Sequence, residues 1–242
     1  MISPPPHAQP HTLDSTRTTL RLRLLRSLLP EAVAIAAEDP QGTPPAPFAE
    51  EFACLSPNAV EKRRREFAAG RAAAHRAMRA LNLTPAPILI GPKRAPVWPN
   101  GLVGSITHCR SCALAALAPD HRFLGLGLDV EEDTPLATDL WPSIASPQEQ
   151  DWMTRQTDPG QAGKLLFSAK EAAYKAQYAR SRKYFGFDGL ELSIDAETRS
   201  FQATFTGDQA PYRRGDQLHG RFAIGAGVII TAVTIPNHEP DP

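Results

Sequence analysis

The stretch FLGLGLDVEE, residues 123–132, constrains the fold of this chain more than any other part of it. Leu124, Leu126, Leu128 and Val130 alternate with Gly125, Gly127, Asp129 and Glu131. Side chains on a strand alternate sides, so the first set predicts a core face and the second set the opposite face. Asp129 and Glu131 then project together, about 6.5–7 Å apart along the strand. The two glycines beneath them take side chains away from that face, which predicts open space beside two carboxylates. Such oxygens suit a hard cation, and magnesium in particular shares one or two carboxylates with substrate phosphates. The plainer alternative is an edge strand that ends in solvated acids.

A second constraint is LLFSAKEAAYKA, residues 165–176, within a helix predicted over roughly 161–180. At about 100° per residue, Phe167, Tyr174 and Tyr178 form an aromatic stripe with Glu171 at its edge. Leu165, Ala169, Ala172, Ala173 and Ala176 cover the other side. Charges confined between two apolar surfaces face a cleft or a ligand, because burying them unpaired is costly. Glu171 and Lys175 are four apart and therefore neighbours; as a solvated pair they would add only about 0.2–0.5 kcal/mol. Joined to Asp129 and Glu131, they supply a third carboxylate and a cation, the ingredients of a metal site with a base beside it.

The anion side of such a site is predicted upstream. A helix reads from Pro57, capped by Ser56 or Asn58, to about Leu83, and carries Lys62, Arg63, Arg64, Arg65, Arg71, Arg76 and Arg79. Arg64, Arg71 and His75 share one face by spacing, with Arg63 nearby. Guanidinium forks match phosphate oxygens. Lys93 and Arg94 follow in a turn, and GSITHC ends a strand on Thr107 and His108, both able to donate to phosphate. A basic helix also suits nucleic acid, but aromatics for base stacking are scarce here and the formal net charge is zero. The charge is uneven: residues 1–121 carry 14 Lys/Arg against 9 Asp/Glu, and residues 122–242 carry 12 against 17.

The remaining chain reads as a Pro-rich, disordered first dozen residues, an amphipathic or strand segment at 17–29, and a loop over 37–57. Short strands joined by turns follow over 86–109, then an apolar strand at 112–119, irregular chain over 132–160, and antiparallel strands in LELSID, SFQATF and RFAIGAGVIITAVTI. Each half offers a long helix with short strands, an α+β arrangement of two related subdomains. No run of eighteen apolar residues predicts a membrane span, and the first residues lack the apolar stretch of a signal peptide. Three cysteines are too few for a disulfide framework, and Cys109 with Cys112 has no second pair to complete a zinc site. The expected compartment is the cytoplasm.

KRRREFAAGR, GPKRAPVWPNGLVGSITHC, GLGLDVEE and LLFSAKEAAYKA together resemble the 4′-phosphopantetheinyl transferases over about residues 45–235. The likeness is to the larger type that serves siderophore, peptide and polyketide synthases. It implies the α+β fold of that family, two pseudo-twofold halves with coenzyme A and Mg²⁺ (or Mn²⁺) between them. The expected divisions are a disordered tail at 1–14, subdomains at 15–120 and 121–235, and a tail at 236–242. The resemblance places Asp129, Glu131 and Glu171 at the metal, Glu171 as base, and Lys175 and Lys170 at the pyrophosphate. Thr107, His108, Arg63 and Arg71 would meet the CoA phosphates. Ile90 stands where some relatives carry lysine, leaving Lys93 or Arg94 for the 3′-phosphate. The implied reaction moves the phosphopantetheine arm of CoA to a serine of an acyl, peptidyl or aryl carrier protein and releases adenosine 3′,5′-bisphosphate. A monomer without nucleic-acid or membrane partners is expected. A metal-dependent nuclease and a non-catalytic CoA- or carrier-binding module are the alternatives. Nuclease sites commonly place Glu and Lys two apart on a strand, and a degraded module would not keep every charged position filled.

Overall fold

The alternating stretch forms strand β6 (Phe123–Glu132) in a computed structural model that describes residues 10–237. Before it come α1 (Pro10–Arg26), β1 (Ala34–Glu38), α2 (Ala49–Phe52), α3 (Glu61–Ala80), β2 (Leu89–Ile90), β3 (Pro96–Val97), β4 (Leu102–Cys109) and β5 (Cys112–Pro119). After it come α4 (Trp141–Ile144), α5 (Pro147–Thr154), α6 (Pro159–Ser181), β7 (Leu190–Asp195), β8 (Ser200–Phe205), β9 (Gln217–Gly225) and β10 (Val228–Pro236). The strands build an antiparallel sheet β1-β5-β4, a second antiparallel sheet β6-β10-β9-β8-β7, and the small ribbon β2-β3.

One long helix packs on each main sheet. Ala73, Ala74, Ala77 and Met78 of α3 meet Ala36, Ala115 and Leu117. Leu165, Leu166, Ala169 and Ala173 of α6 meet Phe201, Phe205, Phe222 and Ile229. A third cluster joins the halves: Leu25 of α1, Val103, Leu114, Leu126, Leu128, Val130 and Ile230 share one core. Each fully buried Leu or Val contributes about 1.5–3 kcal/mol. The sheets also touch edge to edge, where Ser105 and Thr107 of β4 accept hydrogen bonds from the Leu128 and Val130 amides at 3.0 and 3.2 Å.

Several boundaries differ from expectation. Residues 10–14 are helical rather than part of a disordered tail, while the rest of that tail, 1–9, and residues 238–242 lie outside the described residues. The loop-like 37–57 contains the end of β1 and the turn of helix α2, and the irregular 132–160 contains α4 and α5. Helix α3 begins at Glu61 without a side-chain cap, because the residue at the cap position, Val60, has no acceptor; Arg64 folds back onto the Ala59 and Pro57 carbonyls (2.8 and 2.7 Å). It stops at Ala80, ahead of Leu83, where Asn82 turns left-handed at φ 59°.

The space expected over Gly125 and Gly127 is filled by backbone. A Cβ on Gly127 would lie 1.9 Å from the Ala172 carbonyl oxygen, and one on Gly125 2.5 Å from that of Ala176. The glycines therefore let α6 lie directly on β6. That contact brings Glu171 and Lys175 to the carboxylates.

Candidate active site

Strand β6 and helix α6 form a charged seam. Lys175 donates from Nζ to Asp129 Oδ1 at 2.6 Å and to the Leu128 carbonyl at 3.0 Å, with Thr107 Oγ1 at 3.5 Å. Thr107 also donates to Asp129 Oδ1 at 3.2 Å. Asp129 is only 4% exposed, and its Oδ2 is buried without a hydrogen-bond partner among the described residues. Next along β6, Glu131 Oε2 takes Lys164 Nζ at 3.4 Å. Burial pushes the Glu131 carboxyl above the ordinary range and Asp129 adds to the push, while Lys164 opposes it.

Glu171 stands at the edge of a cavity of about 440 Å³ lined also by Tyr174, Tyr184, Phe185 and Phe187. Its carboxylate makes no hydrogen bond among the described residues, and its predicted helix neighbour Lys175 reaches across to the strand instead. Burial raises the Glu171 pKa, Lys175 opposes the rise and Asp129 supports it. A carboxylate held high in this way is suited to accepting a proton. Tyr174 packs on Tyr178, Tyr184 and Phe185 at 5.5–6.0 Å between ring centroids; of the expected aromatic stripe, Tyr174 lines the cavity and Phe167 and Tyr178 do not.

The three carboxylates line this seam without closing round a common point. Among the described residues no three His, Cys, Asp or Glu side chains form a metal-binding group. Lysines hold two of the three. The donor chemistry still fits a hard divalent cation: all oxygen, carboxylate-rich, with one buried lone oxygen on Asp129 left unsatisfied.

The anion side gathers around a cavity of about 120 Å³ lined by Arg63, Arg71, Arg94 and His108. Arg63 Nη1 lies 3.0 Å from His108 Nε2, so that nitrogen accepts and the imidazole is neutral. Burial, then Arg63 and Lys175, lower the His108 pKa to about 4. Arg71 is buried with its guanidinium 4.4 Å above the Phe67 ring and its Nε 3.7 Å from Glu51. The turn between β2 and β3 holds both Lys93 (φ 53°) and Arg94 (φ 65°) in the left-handed region, an uncommon conformation for side chains other than glycine. Both side chains line the aromatic cavity beside Glu171, where Lys93 Nζ lies 4.9 Å over the Tyr184 ring, and Arg94 also lines the small cavity.

Lys170 is not offered to a phosphate. It is 2% exposed, and its ammonium donates to Glu149 (2.7 Å) and to the Ile144 and Phe187 carbonyls (2.9 and 3.0 Å). All three of its donors are used, so it anchors α6 to the α4–α5 segment.

Sequence reasoning missed its partner Glu149, although SPQE at 146–149 carries a capping-box signature and Ser146 and Glu149 form that box. It also missed Lys164, whose signal was a spacing of seven from Glu171 on the same helix stripe. Glu51 was hidden in a Pro-rich stretch. It is fully buried and takes His75 Nε2 and the Ile88 and Phe48 amides, each at 2.9 Å. Cys109 and Cys112 are cross-strand partners at the β4–β5 turn and free thiols, both pushed up to about 12 by burial.

A paired seam of carboxylates and lysines beside an arginine-lined anion cavity is the layout of a phosphoryl-transfer enzyme, and comparison with known proteins makes the class specific. The chain belongs to the 4′-phosphopantetheinyl transferase superfamily: residues 50–118 match the family's N-terminal domain and residues 125–229 the superfamily domain. It is 38% identical over 194 residues to 4′-phosphopantetheinyl transferase Svp of Streptomyces mobaraensis, which covers 78% of each chain. It is 33% identical to transferase Npt of Nocardia iowensis over 87% of this chain and 99% of that one. With PptT of Mycobacterium tuberculosis the identity is 32%, over 88% of this chain and 98% of the relative. The chain is thus an enzyme that places the phosphopantetheine group on carrier proteins, with coenzyme A as donor. No helix among the described residues is long and apolar enough to cross a membrane.

Proposed function

We propose that the transfer uses Glu171 as base, Lys175 as the cation at the reacting phosphate, and a divalent cation, Mg²⁺, held by Asp129 with Glu131 and Glu171. The observation that carries this reading is the seam itself: a raised, unpartnered Glu171, and a buried Asp129 with one oxygen free and the other on Lys175. The bound metal would supply charge neutralisation to the pyrophosphate oxygens.

The chain's own groups do the rest. Arg63, Arg71 and His108, with Thr107 behind them, receive the phosphates of CoA on the β4–α3 side. Arg94 rather than Lys93 takes the 3′-phosphate, because only Arg94 lines the small cavity with the other cations. The aromatic cavity beside Glu171 receives the pantetheine arm. The serine hydroxyl of the carrier then attacks the β-phosphate and Glu171 accepts its proton. The phosphate–phosphate bond to the nucleotide breaks, and adenosine 3′,5′-bisphosphate leaves with its new charge facing Lys175. Fixed charges at the developing phosphate act without reorganisation, which is the main source of rate in such transfers.

This reading divides the chain at residues 120 and 121, with CoA phosphates held mainly by 15–120 and the reacting groups by 121–235. It has the protein working as a monomer in the cytoplasm on acyl, peptidyl or aryl carriers. The test is incubation with CoA, Mg²⁺ and a panel of apo carriers, followed by intact-mass spectrometry and assay of the released nucleotide. Carriers that gain one phosphopantetheine arm as adenosine 3′,5′-bisphosphate accumulates support it. No mass gain on any carrier, with CoA unconsumed, overturns it.

A further inference from the structure

Helix α6 presents Lys164, Glu171 and Lys175 on one stripe, at spacings of seven and four, against Asp129 and Glu131 on one face of β6. Lys175 engages Asp129 and Lys164 engages Glu131, while Asp129 Oδ2, on a side chain only 4% exposed, has no partner. Lys164 belongs to no phosphate-facing cluster; its side chain is 15% exposed and Glu131 is its sole ion-pair partner among the described residues.

We propose that Lys164 and Lys175 are exchangeable counter-ions of the metal site, two ammonium groups that occupy the β6 carboxylates until one divalent cation displaces them. The inference rests on the metal reading above and assigns a role to Lys164 that the transfer chemistry does not require. Its basis is charge and geometry. Three carboxylates and two ammoniums leave one formal negative charge on the seam. Adding a divalent cation turns that into one positive charge and frees both lysines. The seam then changes from repelling a pyrophosphate to attracting it, which makes tight nucleotide binding contingent on metal. Lys175 is freed beside Thr107 and the anion side. Lys164, about three turns earlier on the helix, is freed at the opposite end of the seam, on the α6 side nearer the helix start.

Lys164 makes the proposal testable apart from catalysis. Mn²⁺ affinity of the full chain, without CoA, is measured by the free-ion electron paramagnetic resonance signal in wild type, Lys164→Met and Lys164→Arg. Removing a competing charge this close should tighten Mn²⁺ binding roughly 5- to 30-fold in Lys164→Met. Lys164→Arg, which keeps the charge, should stay near wild type. A second readout needs no variant: acetylation of Lys164 by a limiting acylating reagent, followed by peptide mass spectrometry, should rise several-fold when Mg²⁺ is added. Unchanged or weaker Mn²⁺ binding by Lys164→Met overturns the exchange, and so does a Lys164 equally shielded with and without Mg²⁺. Failure of the wild-type chain to bind Mn²⁺ at all would instead remove the metal reading on which the proposal rests.

Discussion

Lys175 Nζ sits 2.6 Å from Asp129 Oδ1, across the interface between α6 and β6, and not on Glu171 one turn away on its own helix. The cross-element bond separates the two members of the helix pair. Lys175 neutralises the strand carboxylate, and Glu171 is left as a carboxylate with no hydrogen bond among the described residues, facing the aromatic cavity. A surface Glu–Lys pair would contribute a few tenths of a kcal/mol, about 0.2–0.5, and no activity.

Glu171→Gln keeps the shape and removes the basicity. Loss of a general base is worth about 10²–10⁴-fold. We expect kcat for carrier modification to fall by at least about two orders of magnitude, with CoA still bound in calorimetry. A variant that modifies carrier at close to the normal rate would return Glu171 to a solvated helix role.

Lys170→Met should act on stability and not on CoA. It leaves the Glu149 carboxylate buried without its cation, and breaking such a pair costs about 3–5 kcal/mol. Urea unfolding should show that loss, and Glu149→Gln added to Lys170→Met should restore part of it. If Lys170→Met is as stable as wild type but binds CoA weakly, the lysine is a phosphate ligand after all.

Arg94 and Lys93 should separate cleanly. Hydrogen bonds to charged groups contribute about 1.5–3 kcal/mol, so Arg94→Gln should weaken CoA binding about 10- to 100-fold. Dephospho-CoA, which lacks the 3′-phosphate, should be less affected than CoA, and Lys93→Gln, at a residue that lines the aromatic cavity but not the small one, should leave the ratio of the two affinities unchanged. Calorimetry with the two ligands reads this directly; an unchanged CoA-to-dephospho-CoA ratio in Arg94→Gln places the 3′-phosphate elsewhere.

His108 sets a pH dependence of stability. An ordinary imidazole titrates near 6.5, and burial with Arg63 and Lys175 lowers this one to about 4. Between those values the unfolded chain binds a proton that the folded chain refuses, so stability falls as pH drops through that window. Above 6.5 this contribution is fully present. Urea unfolding at about pH 7.5 and about pH 5 should show a larger acid loss in wild type than in His108→Gln. Identical losses in the two proteins would mean His108 titrates normally.

The strands and the two long helices were legible because their patterns are local. Alternation marks β6, and a 3.6-residue period marks α6. The neighbours on each stripe of α6 could be named, including the Tyr174–Tyr178 ring contact. Depth was not legible. Gly125 and Gly127 read as vacated space because nothing in the sequence says that the Ala172 and Ala176 carbonyls lie over them. Lys170 looked like a free cation because its partner Glu149 is twenty-one residues away and buried with it. Lys93 and Arg94 read as equivalent because the sequence does not show that Arg94, from a turn of two successive left-handed residues, also reaches the small cavity. In each case the deciding fact was a contact between elements, which periodicity does not encode.

The core that holds Val103, Leu114, Leu128 and Ile230 together belongs to neither sheet alone. Severing the chain between Asp120 and His121 would leave two fragments, each exposing half of that apolar surface. Neither could serve as a detachable nucleotide-binding or carrier-modifying module. The two fragments could regain the cleft only by finding each other, since the β4–β6 edge that joins the sheets also brings Thr107 to Asp129. An enzyme built this way cannot be assembled from interchangeable halves; a graft from a relative would have to bring matched surfaces on β4 and β6 along with the residues of interest.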